Sequence, residues 1–439
     1  MTTSKLFNGM NNYHVIHPSH GLGDPWSVVI DSGQGIYLKD VEGKEYIDGR
    51  SQLTCVNLGY GRQEIIDAIK KQADKLQYLS LFYGATHNPI AECAERLSEV
   101  TPKNINQFLF TSGGSEATES AFMIARLYWS MQGKAKNKII SLYRSYHGNT
   151  LGSIAATGME MWGQKGMESL PNYIHIPPYY CFRCSFGHTY PDCNIHCARY
   201  LEEVIQREGP DSVGVFIAEP ILGVGGLISP PPEYFPIIRE ICTKYNVLLI
   251  TDEIQTGFCR TGKFFAVEHW GVEPDMMLMG KGITGCYIPF GSVGVSDAIY
   301  DGIKGGHLTG FTHSGHPIAA AAACAALDIY VREKISDHVT EIGEHVLKRL
   351  KTEFTALPSV ANASGLGLMI GLEIVKDKVS KAPHDSKTMA TILPNALAKG
   401  LMIRARDTRM GFTPPLIITK EEADKALDIL MSVLEHLGE

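Results

Sequence analysis

Val247-Leu248-Leu249-Ile250-Thr251-Asp252 and Met276-Met277-Leu278-Met279-Gly280-Lys281-Gly282 decide how this chain folds. Each begins as a short apolar run, the pattern of a buried strand, and each ends in a charged residue. Gly280 and Gly282 bend the second run into a turn. A lysine and an aspartate are thereby presented at two strand ends. Further runs at 107–111, 138–143 and 213–218 have the same character, and helical patterns at 116–128 and 233–245 lie between them. Strand, loop and helix in alternation imply an α/β fold, a mainly parallel sheet with helices on both faces. Toward the N-terminus, alternating runs at 36–41 and 44–48 flank Glu42-Gly43 and read as a β-hairpin. Apolar residues at helical spacing follow over 64–76. Toward the C-terminus come an Ala-rich helix from Pro317, a hairpin-like region and a terminal helix. Thr419-Lys420-Glu421-Glu422 is the capping box that opens that last helix.

The 439 residues suffice for more than one domain. A hydrophobic content of 44% with 20% charged residues describes a globular chain, and a net charge of -7 disfavours a nucleic-acid partner. Met1-Thr2-Thr3-Ser4-Lys5-Leu6 has no apolar signal core, and no apolar run is long enough to span a membrane. A cytoplasmic protein without membrane contact is expected, so the ten cysteines read as thiols.

Several stretches have chemical potential, and each also has an ordinary reading. A lysine after an apolar strand is usually solvated surface. Paired with an aspartate at another strand end, it matches what pyridoxal 5'-phosphate (PLP) needs from a protein: an amine for its aldehyde and a carboxylate for its ring nitrogen. Ser112-Gly113-Gly114-Ser115-Glu116-Ala117 is either a plain strand-to-helix turn or a helix N-terminus open to a phosphate. Tyr146-His147-Gly148 offers an aromatic face at a strand end. Glu219, at the end of 213–218, must be solvated or paired. Cys181, Cys184, Cys193 and Cys197 could hold a structural zinc, but the spacing is short for a zinc ribbon. The reading adopted is a thiol-rich loop with no metal.

Ala218-Glu219-Pro220, Thr251-Asp252-Glu253-Ile254-Gln255-Thr256-Gly257-Phe258 with Arg260-Thr261-Gly262, the lysine turn, and Gly315-His316-Pro317 stand in the order and spacing of one family. From about Gly35 onward the chain resembles the class III (omega-type) aminotransferases. The resemblance implies the fold-type I PLP fold, with an N-terminal segment (1–60) joining a small α+β domain (319–439) beside a large PLP domain (61–318). It implies ping-pong transamination through pyridoxamine phosphate. The donor would be an ω-amino acid, amine or amino-sulfonate, and the acceptor a keto acid such as pyruvate.

By the same resemblance Lys281 and Asp252 are catalytic. Gly114 and Ser115 hold the phosphate, Tyr146 stacks on the ring, and His147, Glu219 and Gln255 complete the cofactor's surroundings. The family's Asn-Ser-Gly-Ser-Glu-Ala is here Thr111-Ser112-Gly113-Gly114-Ser115-Glu116-Ala117, so the match is anchored on Gly-Ser-Glu-Ala. Phe311 and Thr312 reach a partner subunit's phosphate, which implies a homodimer or homotetramer with shared sites. Leu53, Thr54, Phe82 and Tyr83 line the substrate pocket. Thr54 stands where many amine-type relatives carry Trp. Arg404 matches the mobile arginine that takes the keto acid's carboxylate, with Arg406 and Arg409 as competitors. The same scaffold also hosts racemases and epimerases, the alternative function.

Overall fold

The computed structural model describes Pro18 and residues 28–159 and 170–438. Strands β1 (Ile30–Gln34), β2 (Tyr37–Asp40) and β3 (Glu45–Asp48) form an antiparallel N-terminal ribbon. The central sheet follows: β4 (Ile105–Thr111), β5 (Lys138–Leu142), β6 (Tyr173–Ile176), β7 (Val213–Ala218), β8 (Leu248–Asp252), β9 (Met276–Met279) and β10 (Gly291–Ser296). Strands β11 (Val360–Leu366), β12 (Met369–Ile374), β13 (Leu401–Met402), β14 (Arg404–Arg406) and β15 (Arg409–Phe412) belong to the C-terminal region.

The central order is β4-β10-β9-β8-β7-β5-β6. All neighbours run parallel except around β10, which is antiparallel to both β4 and β9. The mainly parallel expectation therefore holds, and β6 and β10 are additions to it. Gly291-Ser292-Val293-Gly294-Val295-Ser296 has too few large apolar residues to read as a buried strand. Its glycines have a packing reason: a Cβ at Gly294 would fall 2.6 Å from Ile105 Cγ2.

Side chains alternate across the sheet and sort into two cores. Val215, Ile217, Leu248, Ile250 and Leu278 pack against helix Gly114–Met131 through Ala117, Ala121 and Phe122. Phe216, Ala218 and Leu249 face helices His196–Glu208 and Tyr234–Tyr245 through Leu201, Phe235 and Ile238. Burying a side chain such as Phe216 contributes on the order of 2 kcal/mol.

Two further sheets flank this one. β13 joins β3 in parallel, pairing Leu401 with Ile47, so the N-terminal ribbon is completed from the C-terminal region. The other has order β11-β12-β15-β14. The Ala-rich helix Pro317–Arg332 packs on the lysine turn, where Tyr330 OH donates to Gly282 O at 2.8 Å. The terminal helix Lys420–Leu434 opens with the expected capping box at Thr419. No described helix is long and apolar enough to cross a membrane.

Candidate active site

β4, β5, β7, β8 and β9 all point the same way, so their C-terminal ends share one edge of the sheet. Ligands of open α/β sheets bind at such edges. Lys281 stands just beyond β9, in the left-handed region at φ 42°, followed by the short helical turn Lys281–Thr284. Gly282 is required there: a Cβ would fall 2.6 Å from Asn57 Nδ2 and 2.8 Å from Phe258 Cβ. The lysine keeps some solvent access but is densely surrounded by protein. Among the described residues no hydrogen-bond or ion-pair partner meets its amine. Burial lowers its pKa, with Arg404 acting in the same direction, against the charges of Asp252, Cys55 and Glu219.

Asp252 ends β8 and is 3% exposed. His147 Nδ1–H donates to its Oδ2 at 2.7 Å, and Ile254 N–H to its Oδ1 at 3.1 Å. His147 is itself fixed: its N–H donates to Thr157 Oγ1 at 3.0 Å, and its carbonyl accepts from Thr118 Oγ1 at 2.7 Å. His147 thus stands behind the carboxylate.

Glu219 follows β7 in full burial. Its Oε1 accepts from Tyr146 N–H at 2.9 Å and its Oε2 from Gly223 N–H at 2.8 Å. Burial pushes its pKa up to about 7, the Asp252 charge adding to this and His147 and the two N–H groups opposing it. Tyr146 is half-buried, and burial together with the Asp252 charge raises its hydroxyl pKa. Gln255 has a buried Oε1 without a partner among the described residues. It lies against Gly223, where a Cβ would fall 2.3 Å from that oxygen.

Helix Gly114–Met131 begins with no side-chain cap from Gly113. Ser115 Oγ accepts from Asn149 N–H at 3.0 Å. The Gly114 Cα lies 3.8 Å from where a Gly280 Cβ would be, so this helix start abuts the lysine turn.

Arg404 on β14 donates from Nη2 to Val224 O at 3.1 Å. Burial lowers its pKa to about 10, Arg406 and Arg50 acting with burial and Glu219 against it. Electrostatic coupling to Glu219 and Lys281 puts it in the same cluster. Arg409 is committed elsewhere: it is 3% exposed, paired with Glu373, and donates to Leu227 O at 3.2 Å. That removes one competitor.

The remaining expected residues make the following contacts. Thr54 is 2% exposed, with Oγ1 3.4 Å from Thr413 Oγ1. It belongs to a segment with left-handed backbone at Ser51, Gln52 and Thr54, bound by Asp48, which accepts from Gln52 N–H at 3.2 Å. Leu53 is 74% exposed, Tyr83 92%, and Phe82 is also exposed. Phe311 N–H donates to Ser314 Oγ at 3.0 Å, and Thr312 O accepts from Tyr78 OH at 2.9 Å. No hydrogen bond or ring contact among the described residues joins Leu53, Phe82, Tyr83, Phe311 or Thr312 to Lys281 of the same chain.

Arg260, in the motif Arg260-Thr261-Gly262, has no role by sequence alone. It is fully buried and donates to Leu368 O, Pro414 O, Ser51 Oγ and Asn57 Oδ1, tying the β8 side of the cluster to the C-terminal region. Its partners are too distant in sequence for spacing to reveal. Cys181, Cys184, Cys193 and Cys197 line one small cavity with His188 and His196. No three or more His, Cys, Asp or Glu among the described residues are disposed to hold a metal ion.

Residues 21–434 match the class-III aminotransferase family model. The putrescine–pyruvate aminotransferase of Pseudomonas aeruginosa is 35% identical over 94% of this chain and 92% of its own. The diaminobutyrate–2-oxoglutarate transaminase of Halomonas elongata is also 35% identical, over 97% and 95%. An amine transaminase from an uncultivated Pseudomonas species, solved in a PLP-bound form, superposes with a TM-score of 0.94 at 33% identity, covering 98% of this chain and 100% of its own. The family match and these near-full-length likenesses agree with the lysine-and-aspartate sheet edge, and the chain belongs to the class III aminotransferases, which transfer amino groups with PLP.

Proposed function

We propose that this transaminase takes an amino group from an ω-amino acid, a diamine or another amine, an amino-sulfonate included, and delivers it to a keto acid, pyruvate above all. Lys281 would supply the amine for the cofactor's aldehyde, and Asp252 the carboxylate for its ring nitrogen. One observation carries this assignment. Asp252 pairs with Leu278 in the β8–β9 ladder, and the turn after β9 presents a lysine amine with no acceptor of its own among the described residues.

Other features support the fit. The uncapped start of helix Gly114–Met131 offers N–H groups and a favourable dipole to a phosphate, with Gly114 and Ser115 nearest. The unpartnered Gln255 Oε1 marks a polar group awaiting a ligand. When bound, PLP supplies an aldehyde that takes up the amine and a protonated ring that draws electrons from the bond being broken.

Burial of Lys281 favours its neutral amine, which can accept the substrate's proton and return it. Asp252, held by His147 and the Ile254 N–H, would offer its negative charge to the ring nitrogen. Tyr146 offers a ring face for stacking. Arg404 forks onto the keto acid's carboxylate. When the donor has no carboxylate there, the Val224 carbonyl accepts from Arg404, so no bare charge is left.

The large rings of Phe82 and Tyr83 and the side chain of Leu53, all exposed, lie on the chain with the Phe311–Thr312 loop. A Cβ at Gly310 would be 3.5 Å from Phe82 Cζ. Exposed apolar groups of this size support pairing of two copies, with Phe311 and Thr312 serving the partner subunit's phosphate. The domain division 1–60, 61–318 and 319–439 is the frame for this assembly. The free state of all ten cysteines supports a cytoplasmic location.

A donor screen, with pyruvate and 2-oxoglutarate as alternative acceptors, tests the reading. Amino transfer from ω-amino acids or diamines to pyruvate is expected. Turnover confined to α-amino acids, or interconversion of one amino acid without any acceptor, contradicts it.

A further inference from the structure

Leu222 and Ile228 pair across the chain, with Leu222 N–H donating to Ile228 O at 3.0 Å. Between them Gly223-Val224-Gly225-Gly226-Leu227 makes a tight loop. Its base is tied to the active site: Gly223 N–H donates to Glu219 Oε2, and Gly223 lies against Gln255. From Val224 to Leu227 each carbonyl accepts from an arginine that lies elsewhere in the chain. Arg404 donates to Val224 O. Arg144 donates to Gly225 O from Nη2 at 2.9 Å and from Nε at 3.2 Å. Arg409 donates to Gly226 O and to Leu227 O. The glycines permit this approach. A Cβ at Gly225 would fall 2.3 Å from Arg144 O, and one at Gly226 2.5 Å from Arg409 Cδ.

Arg409 and Arg144 play different parts. Arg409 is buried and fixed by Glu373, which also accepts from Tyr180 OH at 2.7 Å, so it belongs to the scaffold. Arg144 has a side chain 33% exposed and joins three pieces of the site. Its backbone leads within two residues to Tyr146, whose N–H donates to Glu219. Its fork holds the loop at Gly225. Its Nη2 also lies 3.9 Å from Asp407 Oδ2, in the turn between β14 and β15, the hairpin that carries Arg404. The guanidinium carbon stands over the Tyr180 ring, 5.3 Å from the centroid. Arg144 holds this place with a left-handed backbone, φ 65°, its N–H donating to Gly158 O at 2.7 Å. Residues that carry a Cβ rarely adopt that conformation, and such outliers gather at functional sites.

We propose that Arg144 is a positioning residue for the keto-acid half-reaction, holding the Val224 carbonyl and the Arg404 hairpin in register so that Arg404 is aimed at the incoming carboxylate. The proposal rests on the reading of Arg404 as the group that takes that carboxylate. Arg404 gives up Val224 O when it takes the carboxylate and regains it afterwards. A loop that drifts removes the fixed place of return, and a hairpin that drifts turns the guanidinium fork out of line. Two-bond recognition is sensitive to both, because its bonds require one geometry. Arg144 is itself engaged by Gly225 O, so it acts through Arg404 and not as a second ligand of the carboxylate. A donor without a carboxylate makes no demand on Arg404, so only one half-reaction depends on Arg144.

Holoenzymes carrying Arg144→Ala, Arg144→Lys, Arg404→Ala and the Arg144→Ala/Arg404→Ala pair are compared with the parent. Arg144→Ala is expected to raise the pyruvate KM about five- to tenfold, the scale of a charged hydrogen bond felt at one remove, with kcat within about twofold. Cofactor bleaching by a carboxylate-free amine should change less than about twofold. Arg144→Lys keeps the charge without the fork, so its pyruvate KM should stay at least about threefold above the parent's; it carries the comparison if Arg144→Ala does not fold. In the Arg404→Ala background, Arg144→Ala should add less than about twofold, since both act through one contact. Amide hydrogen exchange in 222–228 and 403–409 should be faster in Arg144→Ala, with 107–111 unchanged. A parent-like KM, equal slowing of both half-reactions, unchanged exchange in the two segments, or an undiminished effect in the Arg404→Ala background overturns the proposal. Complete recovery in Arg144→Lys does so too, because charge alone would then suffice. If Arg404→Ala itself leaves the keto-acid step unchanged, the reading of Arg404 falls and the proposal with it. A slowed keto-acid step in Arg404→Ala beside a parent-like Arg144→Ala sinks the proposal alone.

Discussion

Replacing Arg404 with alanine separates the two half-reactions. Among the described residues Arg404 makes one hydrogen bond, to the Val224 carbonyl. A keto-acid carboxylate replaces it with two charge-assisted bonds. Bonds to charged groups contribute about 1.5–3 kcal/mol each. Subtracting the bond surrendered by Val224 and the dehydration of the carboxylate leaves about 2–3 kcal/mol, or a 30- to 150-fold effect at about 1.4 kcal/mol per tenfold. The Arg404→Ala variant is therefore expected to slow the keto-acid half-reaction by about that factor. The half-reaction with a carboxylate-free amine should change less than about twofold, since in it Arg404 has only its Val224 contact to lose. Stopped-flow spectroscopy of the bound cofactor reads both steps, with donor alone and then with pyruvate. Equal losses in both would make Arg404 structural. Because Arg409 is held by Glu373, Arg406 would then become the candidate for the carboxylate.

Further expectations concern other parts of the cluster. Asp252→Asn should still take up PLP but lose about two orders of magnitude in rate, the scale of a charge that holds the ring nitrogen protonated; near-normal turnover would remove Asp252 from that role. Glu219 has a folded pKa of about 7, above its ordinary 4.5, so the stability it contributes is full below pH 4.5 and is lost as pH rises through 7. Glu219→Gln should thus gain stability relative to the parent by up to about 3 kcal/mol between pH 5 and 8 in denaturant melts, and a difference independent of pH would show that Glu219 is charged in the fold. Protein purified without chelators should contain well under one zinc per chain; about one zinc, lost together with stability in Cys184→Ser, would overturn the metal-free reading of the cysteine loop.

Much of the site is legible in the sequence because each of its parts is local. A buried parallel strand writes an apolar run, and the residue after that run falls on the ligand edge. Asp252, Glu219 and Lys281 are each found this way. Helix starts are equally local, as Gly114 and Thr419 illustrate. What stays hidden is whatever depends on tertiary approach. β10 is glycine-rich because neighbouring side chains crowd it, so its run looks unlike a strand. Arg260 finds its partners more than a hundred residues away. His147 is adjacent to Tyr146, but only the fold reveals that its ring backs Asp252 rather than standing at the ring edge on its own. Leu53, Phe82, Tyr83, Phe311 and Thr312 are distant from Lys281 in sequence and, among the described residues, no hydrogen bond or ring contact joins them to it, so local pattern gives them no place.

The most direct test of the central claim is the covalent position of the cofactor. Borohydride reduction of the holoenzyme fixes PLP to the lysine that bonds it, and peptide mass spectrometry locates the adduct. The account predicts the adduct on Lys281, in the peptide containing Met279-Gly280-Lys281-Gly282. It also predicts no adduct, no visible absorbance of lysine-bound cofactor and almost no turnover in Lys281→Ala. An adduct on any other lysine, or a persistent absorbance band in the variant, would contradict it.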